Sequence, residues 1–233
     1  MSAYNIIAAT AESTVVSEYI PEPRKSDAYQ SEAALEKEFI RLLQGQGYEY
    51  IQVRSEAELI QNLRCQLEAL NRMTFTEEEW NRFFKNNLAG ANEGIVEKTR
   101  KIQSDHVQPL QRDDGTSKNV YLLDKKNIHN NRLQVLNQYE EEQGKRNTRY
   151  DVTILVNGLP LVHVELKRRG VPIREAFNQI KRYQRDSFWA GSGLYEYIQI
   201  FVISNGTHTK YYSNTTRNSH VKEMTQSRGK GKK

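Results

Sequence analysis

Asp151, Glu165 and Lys167 stand in two runs that otherwise read as buried strands, RYDVTILVNGLPLVHVELKRRG over residues 149–170. Two carboxylates and an ammonium among Val, Ile and Leu are costly in an interior unless they pair or bind an ion. Glu165 and Lys167 lie two apart on one strand and project from one face with Leu161 and His163, while Val162, Val164 and Leu166 point to the other. Asp151 opens the preceding strand, and the turn decides whether it joins them. A two-residue Asn157-Gly158 turn makes opposed residue numbers sum to 315 and aims Asp151 away from Glu165. A three-residue turn, Asn157 to Leu159, or a bulge of the same effect, makes the sum 316 and sets the two acids opposite each other. The longer turn or its equivalent bulge is expected.

In that register two carboxylates and the Leu166 carbonyl suit Mg²⁺, which takes oxygen ligands at ~2.1 Å and keeps several waters. Such an ion polarises a phosphodiester and acidifies bound water, and a nearby lysine positions that water or offsets charge in the transition state. Hydrolysis of a DNA backbone follows from this chemistry. The same residues also fit a plain salt-bridge cluster at the end of a hairpin.

The elements that must hold these side chains fall into two halves. Residues 31–104 read as mostly helical: Leu35, Phe39, Leu42 and Leu43 recur at helical spacing before Gly45 and Gly47, and Leu59, Leu63, Leu67 and Leu70 form a second stripe. Thr76 and Glu79 have the spacing of a capping box ahead of Trp80, Phe83, Phe84 and Leu88. Residues 118–213 read as a sheet core, with the strand runs NVYLL, RLQVLNQY, YDVTILV, LPLVHVELK, YIQIFVIS and THTKYYS. One helix interrupts it over about 173–186, where Ile173, Phe177 and Ile180 form a stripe. Residues 1–30 are expected to be an irregular lead-in. Residues 214–233 should be a basic flexible tail, as of a fragment or the first domain of something longer.

The formal net charge of +5 invites an anionic partner, but residues 222–233 hold five Lys or Arg against one Glu, so the body is nearly neutral. A nucleic-acid surface must therefore come from local clustering. One such cluster exists: between residues 167 and 185 only Glu175 opposes Lys167, Arg168, Arg169, Arg174, Lys181, Arg182 and Arg185. It flanks the acid pair, which favours phosphate contact over a solvated face. The single Cys65 excludes an internal disulfide, no apolar run is long enough to span a membrane, and nothing resembles a signal peptide. A cytoplasmic protein is expected. His106, His129, His163, His208 and His220 show no zinc spacing, and Asp124 of LLDKKN has no partner acid at a suitable distance.

Asp151, a spacer of thirteen residues, then Glu165-Leu166-Lys167 resembles the PD-(D/E)xK nuclease core, with Tyr150 where the motif name has proline. Gln179 and Tyr183, one helical turn apart in AFNQIKRYQRD, resemble the QxxxY element of RecB-like nucleases and of the restriction (motor) subunit of type I restriction-modification enzymes. The strings YQSEAALEKEFI, GYEYIQV, EGIVEKTRKI, VYLLDKKN and YIQIFVISNGTHTKYY extend the similarity to that subunit's amino-terminal nuclease region over residues 28–217.

The resemblance implies an α/β, restriction-endonuclease-like core: a mixed central sheet flanked by helices, with a helical amino-terminal portion. It implies Mg²⁺-dependent, sequence-nonspecific cleavage of duplex DNA after translocation by helicase-like motor domains that follow in the complete subunit. ATP would enter only through those domains, because the tail's GKGKK lacks the GxxxxGKS/T spacing of a P-loop. Methyltransferase and specificity subunits would be the partners. Asp151, Glu165 and Lys167 would be catalytic, the first two with the Leu166 carbonyl as metal ligands. Gln179 would support the catalytic end and Tyr183 the substrate, beside Arg168, Arg169, Lys181 and Arg182. Glu38 on the first helix would be a third acid of the kind some relatives use, or part of a solvated face. Phe188 and Trp189 would dock the motor. A stand-alone RecB-like repair nuclease and a non-catalytic DNA-docking module are the competing readings.

Overall fold

The apolar residues of LPLVHVEL need cover on both sides, and the chain supplies it by laying helices on each face of one sheet. A computed structural model describes residues 4–9, 15–19, 31–141, 148–186 and 192–214, the side chains of 4–19, 140–141, 148–149, 181 and 183–186 excepted. The gap after Glu141, the loop bearing Phe188 and Trp189, and the basic tail beyond Asn214 lie outside the described residues.

The chain divides into two units, Met1–Gln30 and Ser31–Lys233. In the first, β1 (Tyr4–Ala9) pairs antiparallel with β2 (Val15–Tyr19), where the sequence pattern predicts an irregular segment. The β-branched pairs Ile6-Ile7 and Val15-Val16 favour that pairing.

In the second unit α1 (Glu32–Gly45) starts at Ser31, whose Oγ accepts the Ala34 N–H at 3.2 Å. There follow β3 (Glu49–Tyr50), α2 (Glu56–Asn71), α3 (Glu77–Phe83), a π turn over Phe84–Leu88 and α4 (Ile95–Gln103). The capping box at α3 forms, with Thr76 N–H donating to Glu79 at 3.0 Å and Glu79 N–H to Thr76 Oγ1 at 3.1 Å. The expected helical amino-terminal portion is thus present, with the short β3 set between α1 and α2. β4 (Val107–Gln111) and β5 (Ser117–Tyr121) make a separate two-stranded ribbon, so NVYLL is not part of the central sheet. Its partner strand VQPLQ carries Pro109, which an edge strand tolerates but which hides it from a pattern search.

β6 (Leu133–Glu141), β7 (Thr148–Val156), β8 (Leu159–Leu166), α5 (Ile173–Asp186), a 3₁₀ turn over Leu194–Tyr197, β9 (Ile200–Ser204) and β10 (Thr209–Ser213) complete the unit. The sheet order is β10-β9-β8-β7-β6-β3, parallel at β8/β9 and β3/β6 and antiparallel elsewhere. This is the expected mixed central sheet. On one face Ile40 and Leu43 of α1 pack on Val135, Val152, Val164 and Leu166. The opposite face buries Leu136, Tyr139, Tyr150, Leu155, Leu161, Phe201 and Ile203 beneath α2 to α5. That second layer is pinned behind the strand ends: the buried Lys98 of α4 donates to the Gly193 carbonyl at 2.6 Å, and Tyr195 just beyond lies 4.4 Å, ring to ring, from Tyr150. No helix among the described residues is long and apolar enough to cross a membrane.

Candidate active site

The β7–β8 connection is a two-residue turn, Asn157 at φ 50 and Gly158 at φ 81, and not the longer one. The turn is locked from outside. Asn157 accepts the Arg132 N–H at 2.8 Å and donates to the Leu122 carbonyl at 3.1 Å, and a Cβ on Gly158 would lie 2.6 Å from the Leu63 Cα. Leu155 and Val156 accordingly pair with Pro160 and Leu159. The strand then takes in one extra residue at Leu161, after which Ile154, Thr153 and Val152 pair with Val162, His163 and Val164. The bulge alternative is therefore the one realised, and it shifts the register by the one residue that Asp151 needs. Asp151 Oδ2 accepts the Leu166 N–H at 2.9 Å.

Glu165 is fully buried, and its two oxygens differ. Oε1 accepts from Lys167 Nζ at 3.1 Å; Oε2 is buried with no hydrogen-bond partner among the described residues, at 3.4 Å from His163 Nε2. Burial lowers the His163 imidazole to about 4, so it is neutral at neutral pH and offers no charge to that oxygen. Burial raises the Glu165 carboxyl to about 7 against the pull of Lys167 and a side-chain hydrogen bond shared with Asp151. Asp151 rises to about 6, first from burial and then from the charge of Glu165, against the Leu166 hydrogen bond and Lys167. Two desolvated carboxyls this close share protons unless a stronger positive charge stands between them.

No group of three or more His, Cys, Asp or Glu is gathered as a metal site among the described residues. Two carboxylates nevertheless meet the need of a hard ion that keeps much of its water, and the buried, unpartnered Glu165 Oε2 is an oxygen such an ion would satisfy. The residues present fit a divalent cation.

On the first helix, the solvated-face alternative is the one seen for Glu38, and Glu32 and Glu36 are the acids that reach the strands. Glu38 is half-exposed and paired with Arg41 at 2.7 Å on the surface of α1. Glu32, in the first turn, lies 3.9 Å from Lys167 Nζ and accepts the Arg168 N–H at 3.3 Å. Glu36, 7% exposed, takes hydrogen bonds from Asn137 and Gln138 of β6. The signal for both was their place on the stripe with Leu35, Phe39, Ile40 and Leu43, to which Glu38 does not belong. Lys167 is largely buried, while Arg168, Arg169 and Arg182 are exposed. Gln179 is half-buried on α5; the side chains of Lys181 and Tyr183 lie outside the described ones. Asp124 caps its own loop through the N–H groups of Lys126 and Asn127 and takes no part in the site.

Residues 29–220 match the family described as Type I restriction enzyme R protein N terminus. The chain belongs to that family. Within the matched stretch of this type I R-protein family lie α1 to β10, and with them Glu32, Asp151, Glu165, Lys167 and Gln179; β1 and β2 precede it. The Type I restriction enzyme EcoprrI endonuclease subunit of Escherichia coli is 50% identical over 204 residues, 87% of this chain and 65% of its own length. The Type I restriction enzyme SauMSSORF170P endonuclease subunit of Staphylococcus aureus is 43% identical over 192 residues, 80% of this chain and 20% of its own length. A putative type I restriction enzyme endonuclease subunit of Methanocaldococcus jannaschii, MjaIXP, is 36% identical over 102 residues, 42% of this chain and 9% of its own length. The chain thus spans about two thirds of one relative in this family and a fifth or less of the other two.

Proposed function

We propose that residues 31–213 form the nuclease domain of a type I restriction enzyme, cutting duplex DNA without sequence preference, with Mg²⁺ bound at Asp151 and Glu165. The observation that carries this reading is the Leu161 bulge, which sets the register for Asp151 to meet the strand end of Glu165, whose Oε2 is buried and unpartnered. The carbonyl of Leu166 is the third protein ligand, beside waters. The bound ion supplies Lewis acidity toward the phosphodiester and a water acidic enough to attack it. Lys167 keeps Glu165 oriented through its 3.1 Å hydrogen bond and presents an ammonium to the attacking water and to charge on the phosphate. Glu32 holds the other side of Lys167 and fixes the chain at Arg168. Exposed Arg168, Arg169 and Arg182, with Lys181, meet backbone phosphates, while Gln179 and Tyr183 steady the catalytic end and the substrate.

In this reading cleavage in the cytoplasm follows ATP-driven translocation by motor domains outside this chain, in a complex with methyltransferase and specificity subunits. The names of the relatives, each an endonuclease subunit, favour it over a non-catalytic docking module. The test is ATP- and Mg²⁺-dependent cleavage of a plasmid bearing the recognition site by the assembled enzyme. Asp151→Ala, Glu165→Ala and Lys167→Ala should each abolish cleavage, by at least ~100-fold, with ATPase retained. Wild-type cleavage in all three would leave only the docking module.

A further inference from the structure

Three non-glycine residues among the described ones have a left-handed backbone. Arg72 caps α2 and Asn157 makes the β7–β8 turn, but Gln138, at φ 55, stands inside β6 with ladder pairs on both sides. Those pairs are Asn137↔Val152 and Tyr139↔Tyr150, so the residue across from Gln138 is Asp151. A residue with a Cβ adopts this conformation in a strand only where its surroundings enforce it.

Residues two apart in a strand should share a face. Both strands break that rule at this step. Asn137, bonded to Tyr50 and Glu36, and Val152 lie on the α1 side, whereas Tyr139 and Tyr150 lie on the other, their rings 6.2 Å apart. Beyond the step β6 and β7 remain paired through Glu140↔Arg149 and Glu141↔Thr148, while the β7–β8 ladder ends at Val152↔Val164. The β6–β7 ribbon therefore parts from β8 at Asp151, and Asp151 reaches across to the Leu166 N–H with its carboxylate. On α1, the buried Glu36 carboxylate accepts from the side-chain amide of Gln138 and so holds the residue at the branch point.

We propose that Gln138 is a positioning residue for Asp151: its left-handed backbone, held by Glu36, turns the β6–β7 ribbon away from β8 and so delivers the Asp151 carboxylate into the opening. This rests on Asp151 being a metal-binding acid, as proposed above. The backbone does the positioning, and the amide serves to keep the backbone in place.

The test is the Mn²⁺ affinity of the 233-residue chain by calorimetry, with thermal unfolding of each variant as a check on the fold. Gln138→Ala keeps the Cβ but loses the hold of Glu36, and should weaken binding about tenfold. Gln138→Gly loses the same hydrogen bond but is at ease with positive φ, and should bind within about threefold of wild type. A side-chain role alone would make the two variants alike. Equal loss in both, or wild-type affinity in Gln138→Ala, overturns the proposal. Asp151→Ala separates the two levels: if it binds Mn²⁺ as wild type does, the metal-site reading itself is wrong and the role of Gln138 falls with it.

Discussion

Asp151 and Glu165 hold protons in the folded chain that they would release when unfolded, since burial raises them from ordinary values of 3.8 and 4.5 to about 6 and about 7. The folded state binds more protons between those limits, so the pair's contribution to stability is present below the unfolded values and is lost as pH rises through the folded ones. The melting temperature of the metal-free chain should fall by roughly 2–4 °C or more from this source between about pH 5 and pH 7.5. The double variant Asp151→Asn, Glu165→Gln should lack that slope, and Mg²⁺ should raise the wild-type Tm more at the higher pH. A slope shared by wild type and double variant in thermal unfolding would show that the pair is not desolvated as described. At this scale the strand acids were legible because charge inside an apolar run is conspicuous. The first-helix acids were harder: Glu32, Glu36 and Glu38 are equally common residues, and only their angular position relative to Ile40 and Leu43 tells which of them turn toward the sheet.

Among the elements, the register of β8 depends on two features that pull apart, a tight turn and a bulge. Sequence periodicity demanded a shift of one residue but could not say whether the turn or the strand would absorb it. Tertiary contacts decide: Asn157 is held by Arg132, Leu122 and Asn131, and Gly158 lies against Leu63 of α2, so only the strand is free to accommodate the extra residue at Leu161. Gly158→Ala adds a Cβ at positive φ and 2.6 Å from backbone, and should destabilise the chain by roughly 2–4 kcal/mol in denaturant unfolding. A loss within about 0.5 kcal/mol would mean that α2 does not clamp the turn. The helices of residues 32–103 were readable from caps and stripes, whereas β4 was not, because Pro109 and the two glutamines of VQPLQ obscure a short strand that pairs with β5.

For the whole molecule, the mixed sheet flanked by helices was legible through the family resemblance, while the pattern alone marked YIQIFVIS, apolar on both faces, as a central strand. The chain carries no P-loop spacing, so it should release no phosphate from ATP above background, with or without DNA; turnover measured by phosphate release would contradict the proposal that ATP acts through motor domains outside this chain. The central claim, a divalent ion held between β7 and β8, is tested most directly by anomalous scattering from crystals of the chain soaked in Mn²⁺. The expected map has a peak ~2.0–2.3 Å from a carboxylate oxygen of Asp151, from Glu165 Oε2 and from the Leu166 carbonyl. A map with no peak between the two acids, and Glu165 held by Lys167 alone, would reduce the site to a buried ion pair.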